Sequence, residues 1–533
     1  MSLRLPAVAR AAAFAALAAV PLTLARAADA PPAGALRVRT GLENLESQVH
    51  DFTLANGLKF VVVERHQAPV FSFVTMVNAG SANDQVGTTG LAHMMEHMAF
   101  KGTQKIGTKS WTAEKPLLDA EDQAWTALLD ERRKGLRADS TRLRDLGAAF
   151  ERARTAAYGQ VVSNEFSRWI GQAGGQNSNA YTSNDVTAYF YSMPSNRLEL
   201  WALLEGARMS HPVFREFYKE RDVVYEERRM RYESSPTGRL FLEFTNTAFT
   251  AHPYGFGGIG FPSDLTTFSR PQGEDYFRRN YVAKNMVVAV VGDVTVDELK
   301  REATKYFADL SPAPAPPPID TVEPQQKAER RVVLEDPGQP FIMIGWHVPA
   351  ASDPHYPAYE ALSDLLAGGD YARLIKTLVK EKRIATQVDA GPGFPGQKYP
   401  SLFVLFVTPA AGQDPMVVER EVYAALDDVR RHPFTADELA GYKVRFKARQ
   451  IAAVEGNADL ASALADAQTL QGDWREFFRD QERAQRLTPD DLMTAMNTAF
   501  VRSNRTVAML VNRPAAAAAV APPARRPRRD GSR

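Results

Sequence analysis

The sequence predicts an α+β protein of two homologous domains, each a mainly antiparallel β-sheet packed with helices. Three observations lead there. At 533 residues the chain is too long for one ordinary hydrophobic core, so two units of roughly 200 to 250 residues are expected. The proline-rich run "LSPAPAPPPIDTVEPQQ", from Leu310 to Gln326, can form neither helix nor central strand and reads as a semi-rigid linker over 310–330. On either side of it, "YVAKNMVVAVVG" from Tyr281 and "FVRSNRTVAMLV" from Phe500 share an aromatic, Val, Asn, Val and Ala in the same order and spacing. A repeat of that kind points to duplication of one unit.

Taken in order, residues 1–27 carry early arginines, an alanine-rich apolar run and the small pair Ala25 and Ala27 before a cleavage point, the pattern of a secretory signal. This predicts a periplasmic or secreted protein, with a first domain over 28–309. "DFTLANGLKFVVVERH" sets Asn56-Gly57 between apolar alternations, a strong hairpin signal. A third strand follows from Ala68, and from Gly90 the apolar period becomes helical. The charged stretch at about 110–160, broken near Gly135, reads as an inserted helical hairpin. "GGQNSNAYTSNDVTAYF" from Gly174 alternates as a strand. After the linker a second, non-catalytic domain is expected over 331–513, and 514–533 forms a basic, compositionally disordered tail.

Composition narrows the chemistry. The chain has no cysteine, so it has neither disulfides nor thiolate ligands, and any metal must be held by His and carboxylates. The formal charge of +1 conceals an acidic body: without the signal and the tail, which carry eight arginines against Asp530, it falls to −6, which argues against nucleic acid. No phosphate loop or serine triad is present, and "GGIGF" from Gly257 lacks the context of nucleotide binding.

The chemistry concentrates in "GLAHMMEHMAFKGT", Gly90 to Thr103. On a helix His93, Glu96 and His97 share one face. Two imidazoles so spaced suit one Zn²⁺ per chain, with the adjacent carboxylate placed as general base toward water. Met94, Met95, Met98 and Phe100 supply an apolar face to bury the helix.

This HxxEH pattern resembles the signature of the inverted-zinc-motif peptidases of family M16, the pitrilysin, insulysin and mitochondrial processing peptidase group, with its LuxS/MPP-like metallohydrolase fold. The resemblance implies a third ligand on a downstream helix, seven residues after a supporting glutamate. "FYKERDVVYEERRMRYESSPTGRL" offers Glu220 with Glu226 and Glu227; residues i and i+7 share a face, so Glu227 is the expected ligand and Glu220 its support. The resemblance also implies an edge strand that pairs with the substrate backbone, with Asn179 and Ala180 at the matching positions.

It further implies a zinc metalloendopeptidase acting on peptides or unfolded polypeptides. The chain departs from the family in a His97 to Glu227 gap longer than usual by about the length of the helical hairpin and, more seriously, in its second half. The Arg and Tyr, seven apart, expected in the second domain fall in register on Val379 and Thr386, with Lys380 and Arg383 near but out of register. The expected partner is therefore a related M16 chain lacking HxxEH, in a heterodimer, with a homodimer as the alternative. A non-catalytic scaffold or assembly subunit on the same fold is the competing function.

Overall fold

The computed structural model describes residues 44–512; the expected signal and basic tail lie outside them. In the first half, β1 (Val49–Thr53), β2 (Lys59–Glu64), β3 (Val70–Val77), β4 (Gln176–Thr182), β5 (Thr187–Pro194) and β6 (Met286–Gly292) form one sheet in the order β1-β2-β6-β3-β5-β4. In the second, β7 (Arg330–Asp336), β8 (Phe341–Val348), β9 (Ala385–Phe394), β10 (Ser401–Pro409) and β11 (Arg505–Asn512) follow the order β7-β11-β8-β10-β9. The second sheet repeats β2-β6-β3-β5-β4 strand for strand. Even the parallel pair recurs, β7 with β11 as β2 with β6, while the other neighbours are antiparallel.

The duplicated twelve residues have a structural reason. Asn285 donates through its side-chain amide to the carbonyl of Asn280 at 2.9 Å and to that of Asn78, just past β3. Asn504 donates in the same way to Ala499 at 2.9 Å and to His347 in β8. Each asparagine ties the end of a helix to the strand beside β6 or β11. The Asn56-Gly57 turn joins β1 to β2: Gly57 has φ 98°, and a Cβ there would meet the Lys284 side chain at 2.5 Å.

The helices used below are α1 (Leu91–Met98), α2 (Trp111–Arg132), α3 (Ser140–Tyr158), α4 (Phe217–Arg228) and α5 (Pro236–Ala248) in the first half. The second half contributes α6 (Tyr356–Ala367), α7 (Ala436–Glu455), α8 (Asn457–Asp466) and α9 (Glu476–Arg486). Both faces of the first sheet are covered, which is why β2 and β6 read as continuous apolar runs and not as alternations. Phe60 and Val62 face the core that holds Leu91, Met94, Met95 and Met98 of α1. Val61 and Val63 face Leu460, Ala461 and Leu464 of α8, a helix from the other half of the chain.

The loan is reciprocal. Leu240 and Phe244 of α5 pack on Met343, Leu402, Val404 and Leu510 of the second sheet. Each half therefore closes a face of its partner's sheet, and burying each such leucine or phenylalanine contributes about 1.5–3 kcal/mol to holding the halves together.

Three enclosed carboxyls make stability depend on pH. Burial pushes Asp84 up to about 7 against the hydrogen bonds from Gly90 and Ala92, and Asp466 at the end of α8 up to about 7. Glu360 of α6 is pushed up to about 8, first by burial and then by Asp480, against Arg449 and Arg483. In the folded chain these groups keep protons that the unfolded chain releases near pH 4. Stability is therefore lost as the pH rises through 7 and 8. His252, pushed down to about 4 by burial, acts in the opposite sense only below about pH 6.5. The melting temperature should thus fall between pH 6.5 and 8.5, and Glu360→Gln should flatten the decline. Calorimetric melts across that range would measure it.

Candidate metal centre

α1 opens at Gly90, whose φ of 100° and the Ile259 carbonyl, 2.5 Å from where a Cβ would stand, require glycine. A glycine has no capping oxygen, so the cap comes from elsewhere. The Asp84 carboxylate accepts from the amides of Gly90 at 2.7 Å and Ala92 at 2.9 Å. Asp264 accepts from the amide and hydroxyl of Thr89 just before. Both carboxyls face the helix N-terminus, whose peptide dipoles favour negative charge, although burial pushes Asp84 up to about 7.

α1 presents His93, Glu96 and His97 toward α4, which presents Glu220 and Glu227. Glu227 Oε2 lies 3.6 Å from His93 Nε2 and 3.6 Å from His97 Nε2, and the donor atoms of the three residues all lie within 4.8 Å of one another. Tetrahedral zinc with bonds of about 2.0–2.1 Å needs ligand atoms roughly 3.3–3.5 Å apart, so these three side chains fit the ion. Among the described residues no other group of three His or acidic side chains converges in this way. Glu226 points to the surface and pairs with Arg229 at 2.9 Å.

The surrounding polar groups divide the work. His97 Nδ1 is 3.4 Å from Glu220 Oε2. Lys101 bonds Glu220 Oε1 and, at 3.2 Å, Glu216 Oε2. Glu96 Oε2 accepts from the Thr182 hydroxyl at 2.7 Å. Arg231, one turn beyond α4, forms an ion pair with Glu227 Oε1 at 2.6 Å.

Burial lowers His93, reinforced by its neighbour His97, and so favours the neutral imidazole that a metal requires. Burial also works against a charged His97, but Glu220 and Glu227 outweigh it and push that ring up to about 9. Against its own burial, Glu220 is held at about 2 by His97 and Lys101. The hydrogen bond from His97, opposed by burial, keeps Glu227 low, helped by His93 and Arg231. Glu96 is the exception: burial raises it, against the Thr182 bond and His97. A carboxylate of raised basicity beside a ligand cluster is suited to accept a proton.

Asn179 and Ala180 lie on β4, which pairs only with β5; β4 is a terminal strand of the sheet and its second edge carries no strand among the described residues. The Asn179 side chain accepts from the Ala180 amide at 2.9 Å. The same strand ends at Thr182, so it leads directly to Glu96. In the second half, Val379 packs against the core and the Thr386 hydroxyl donates to the Thr408 carbonyl. Lys380 is engaged by Asp370 and lies over the Tyr371 ring. Arg383 adopts a left-handed φ of 54°.

The helical hairpin α2–α3 packs against the helix that carries the glutamates. The Tyr218 hydroxyl of α4 donates to Asp122 at 2.7 Å, and the buried Arg215 pairs with Glu114 at 2.9 Å. Sequence reasoning missed Asp84, Lys101, Thr182 and Arg231. Lys101 and Arg231 each had a local signal, lying four residues after His97 and Glu227 respectively.

Comparison with known proteins follows the same outline. Residues 59–127 match the profile described as Insulinase (Peptidase family M16), and residues 267–445 match Peptidase M16 inactive domain. The chain is 29% identical over 469 residues to the zinc protease PqqE of Helicobacter pylori, covering 86% of this chain and 91% of that one. It superposes on the crystal structure of a protease from Helicobacter pylori with a TM-score of 0.72 at 27% identity, covering 87% of this chain and 99% of the other. The periplasmic protease PqqL of Escherichia coli has the same fold, with a TM-score of 0.65 at 18% identity over 87% of this chain and 48% of its own. The zinc-motif helix, the second half and the fold of nearly the whole chain agree: this protein belongs to peptidase family M16.

Proposed function

We propose that this chain is a zinc metalloendopeptidase that hydrolyses peptides or unfolded polypeptides. The observation that carries the reading is the convergence of His93, His97 and Glu227 at 3.6 Å, with Glu96 beside them. These three residues would hold one Zn²⁺, which when bound acts as a Lewis acid toward the scissile carbonyl and makes water more acidic. The chain's own groups do the rest. An extended peptide adds to the free edge of β4 through main-chain hydrogen bonds near Asn179 and Ala180, which suits recognition of backbone over side chains. Glu96, oriented by Thr182, takes a proton from water as its oxygen attacks the carbonyl carbon. It returns that proton to the amine nitrogen as the C–N bond breaks. Glu220 holds His97 in position from behind.

In this reading 28–309 is the zinc-bearing unit, 310–330 the linker and 331–513 a non-catalytic counterpart. Residues 1–27 export the chain to the periplasm or beyond, in line with the periplasmic relative. No helix among the described residues is long and apolar enough to cross a membrane. Val379 and Thr386 stand where the family resemblance calls for Arg and Tyr, which supports a related M16 partner without HxxEH completing the site, or failing that a homodimer. The same observation favours a second reading, a scaffold subunit. Zinc content and cleavage of a mixed peptide library by the mature chain, alone and with related chains, distinguish the two. Stoichiometric zinc with cleavage supports the peptidase; absence of both under every pairing leaves the scaffold.

A further inference from the structure

The two oxygens of Glu227 are in different hands. Oε2 faces both imidazoles at 3.6 Å, while Oε1 is taken by Arg231 at 2.6 Å. The backbone that carries Arg231 is unusual. Arg229–Glu233 form a π-helical turn, closed by the amide of Ser234 on the carbonyl of Arg229 at 2.8 Å. Such turns are frequent at functional sites, and the described residues include two others, at Ile375–Glu381 and Ala467–Gln471. This one is clamped on every side. The Arg231 carbonyl stands 1.9 Å from where a Cβ on Gly238 would be, Arg228 donates to the Gly260 carbonyl at 2.7 Å, and Arg239 bonds the Glu233 carbonyl. The side chain itself is 61% exposed, so all this fixed backbone serves to bring one solvated guanidinium onto one carboxylate oxygen. An exposed ion pair contributes little to stability, which leaves the site as its beneficiary.

We infer that Arg231 is a positioning residue that keeps Glu227 a one-oxygen ligand, holding Oε1 away from the metal so that the donor set stays at two imidazole nitrogens and one carboxylate oxygen. A carboxylate free at both oxygens can turn and offer both. That would fill the position a catalytic zinc site must leave open. The planar guanidinium also draws electron density from Glu227, and its charge reaches His93 and Glu96 as well. Arginine keeps this charge at any pH the enzyme meets.

The inference rests on His93, His97 and Glu227 holding Zn²⁺, and the experiment separates the two claims. Wild type, Arg231→Ala and Arg231→Lys are purified as full mature chains, checked for unchanged melts, and titrated with Zn²⁺ against a chelator. Each is also loaded with Co²⁺, whose visible absorption falls in intensity when a fourth-position site becomes five-coordinate. The expected result in Arg231→Ala is a weaker cobalt spectrum with zinc affinity no lower than wild type, since a donor oxygen is gained and a cation beside the metal lost, and partial recovery of the spectrum in Arg231→Lys. A cobalt spectrum equal to wild type in Arg231→Ala would overturn the inference, even if turnover fell, because Arg231 would then act on substrate. Failure of the wild type to bind zinc would overturn it together with the metallopeptidase reading.

Discussion

Glu96→Gln should reduce peptide cleavage by about 10²- to 10⁴-fold while leaving zinc stoichiometric. The amide has the shape of the acid and still offers an oxygen to the Thr182 hydroxyl, which bonds Glu96 Oε2 at 2.7 Å. Geometry is thus retained and only the capacity to accept a proton is lost. The substitution removes a charge that burial disfavours, so the variant should be no less stable than wild type. Elemental analysis, a thermal melt and turnover on one cleaved peptide, with and without a partner chain, test all three parts. Turnover within threefold of wild type would remove Glu96 from the proton transfer.

Glu227→Ala should lower zinc affinity by more than about 100-fold, exceeding the loss expected from any residue behind a ligand. The neighbouring positions grade the effect. Glu220→Gln removes a partner of His97 but no donor atom, and a 10- to 100-fold loss is expected. Glu226→Ala, which breaks only a surface pair with Arg229, should bind zinc as wild type does. Chelator competition on the three variants gives the series directly. Equal losses at 226 and 227 would mean that the helix, and not a specific oxygen, matters to the metal.

The residues in this series also mark what a sequence can carry. The face shared by His93, Glu96 and His97, and the seven-residue step from Glu220 to Glu227, are periodicities of a single helix. They are set by 3.6 residues per turn and can be read without neighbours. The duplicated unit was legible for a similar reason: Asn285 and Asn504 do the same local job at the end of β6 and β11, so the same letters recur at the same spacing. The hairpin at Asn56-Gly57 rests on the backbone preferences of two residues.

Other features lay beyond local reading. That α1 and α4 meet at all, at a sequence separation of 123 between His97 and Glu220, depends on the tertiary packing of one helix on the other. The cap on α1 comes from Asp84 and not from the residue before the helix, so no N-cap pattern announces it. Thr182 looks like an ordinary strand residue until the fold brings it to Glu96. The exchange of α5 and α8 between the sheets was likewise invisible, because an amphipathic helix records that one face is buried and not which sheet buries it.

By itself, then, the sequence determined the fold class, the two-fold repeat and the ligand-bearing faces, because short-range backbone geometry dictates each of them. Only the tertiary structure decided that Glu227 meets the two histidines, that Thr182 meets Glu96, and which helix covers which sheet, because these are settled by contacts between segments far apart in the chain.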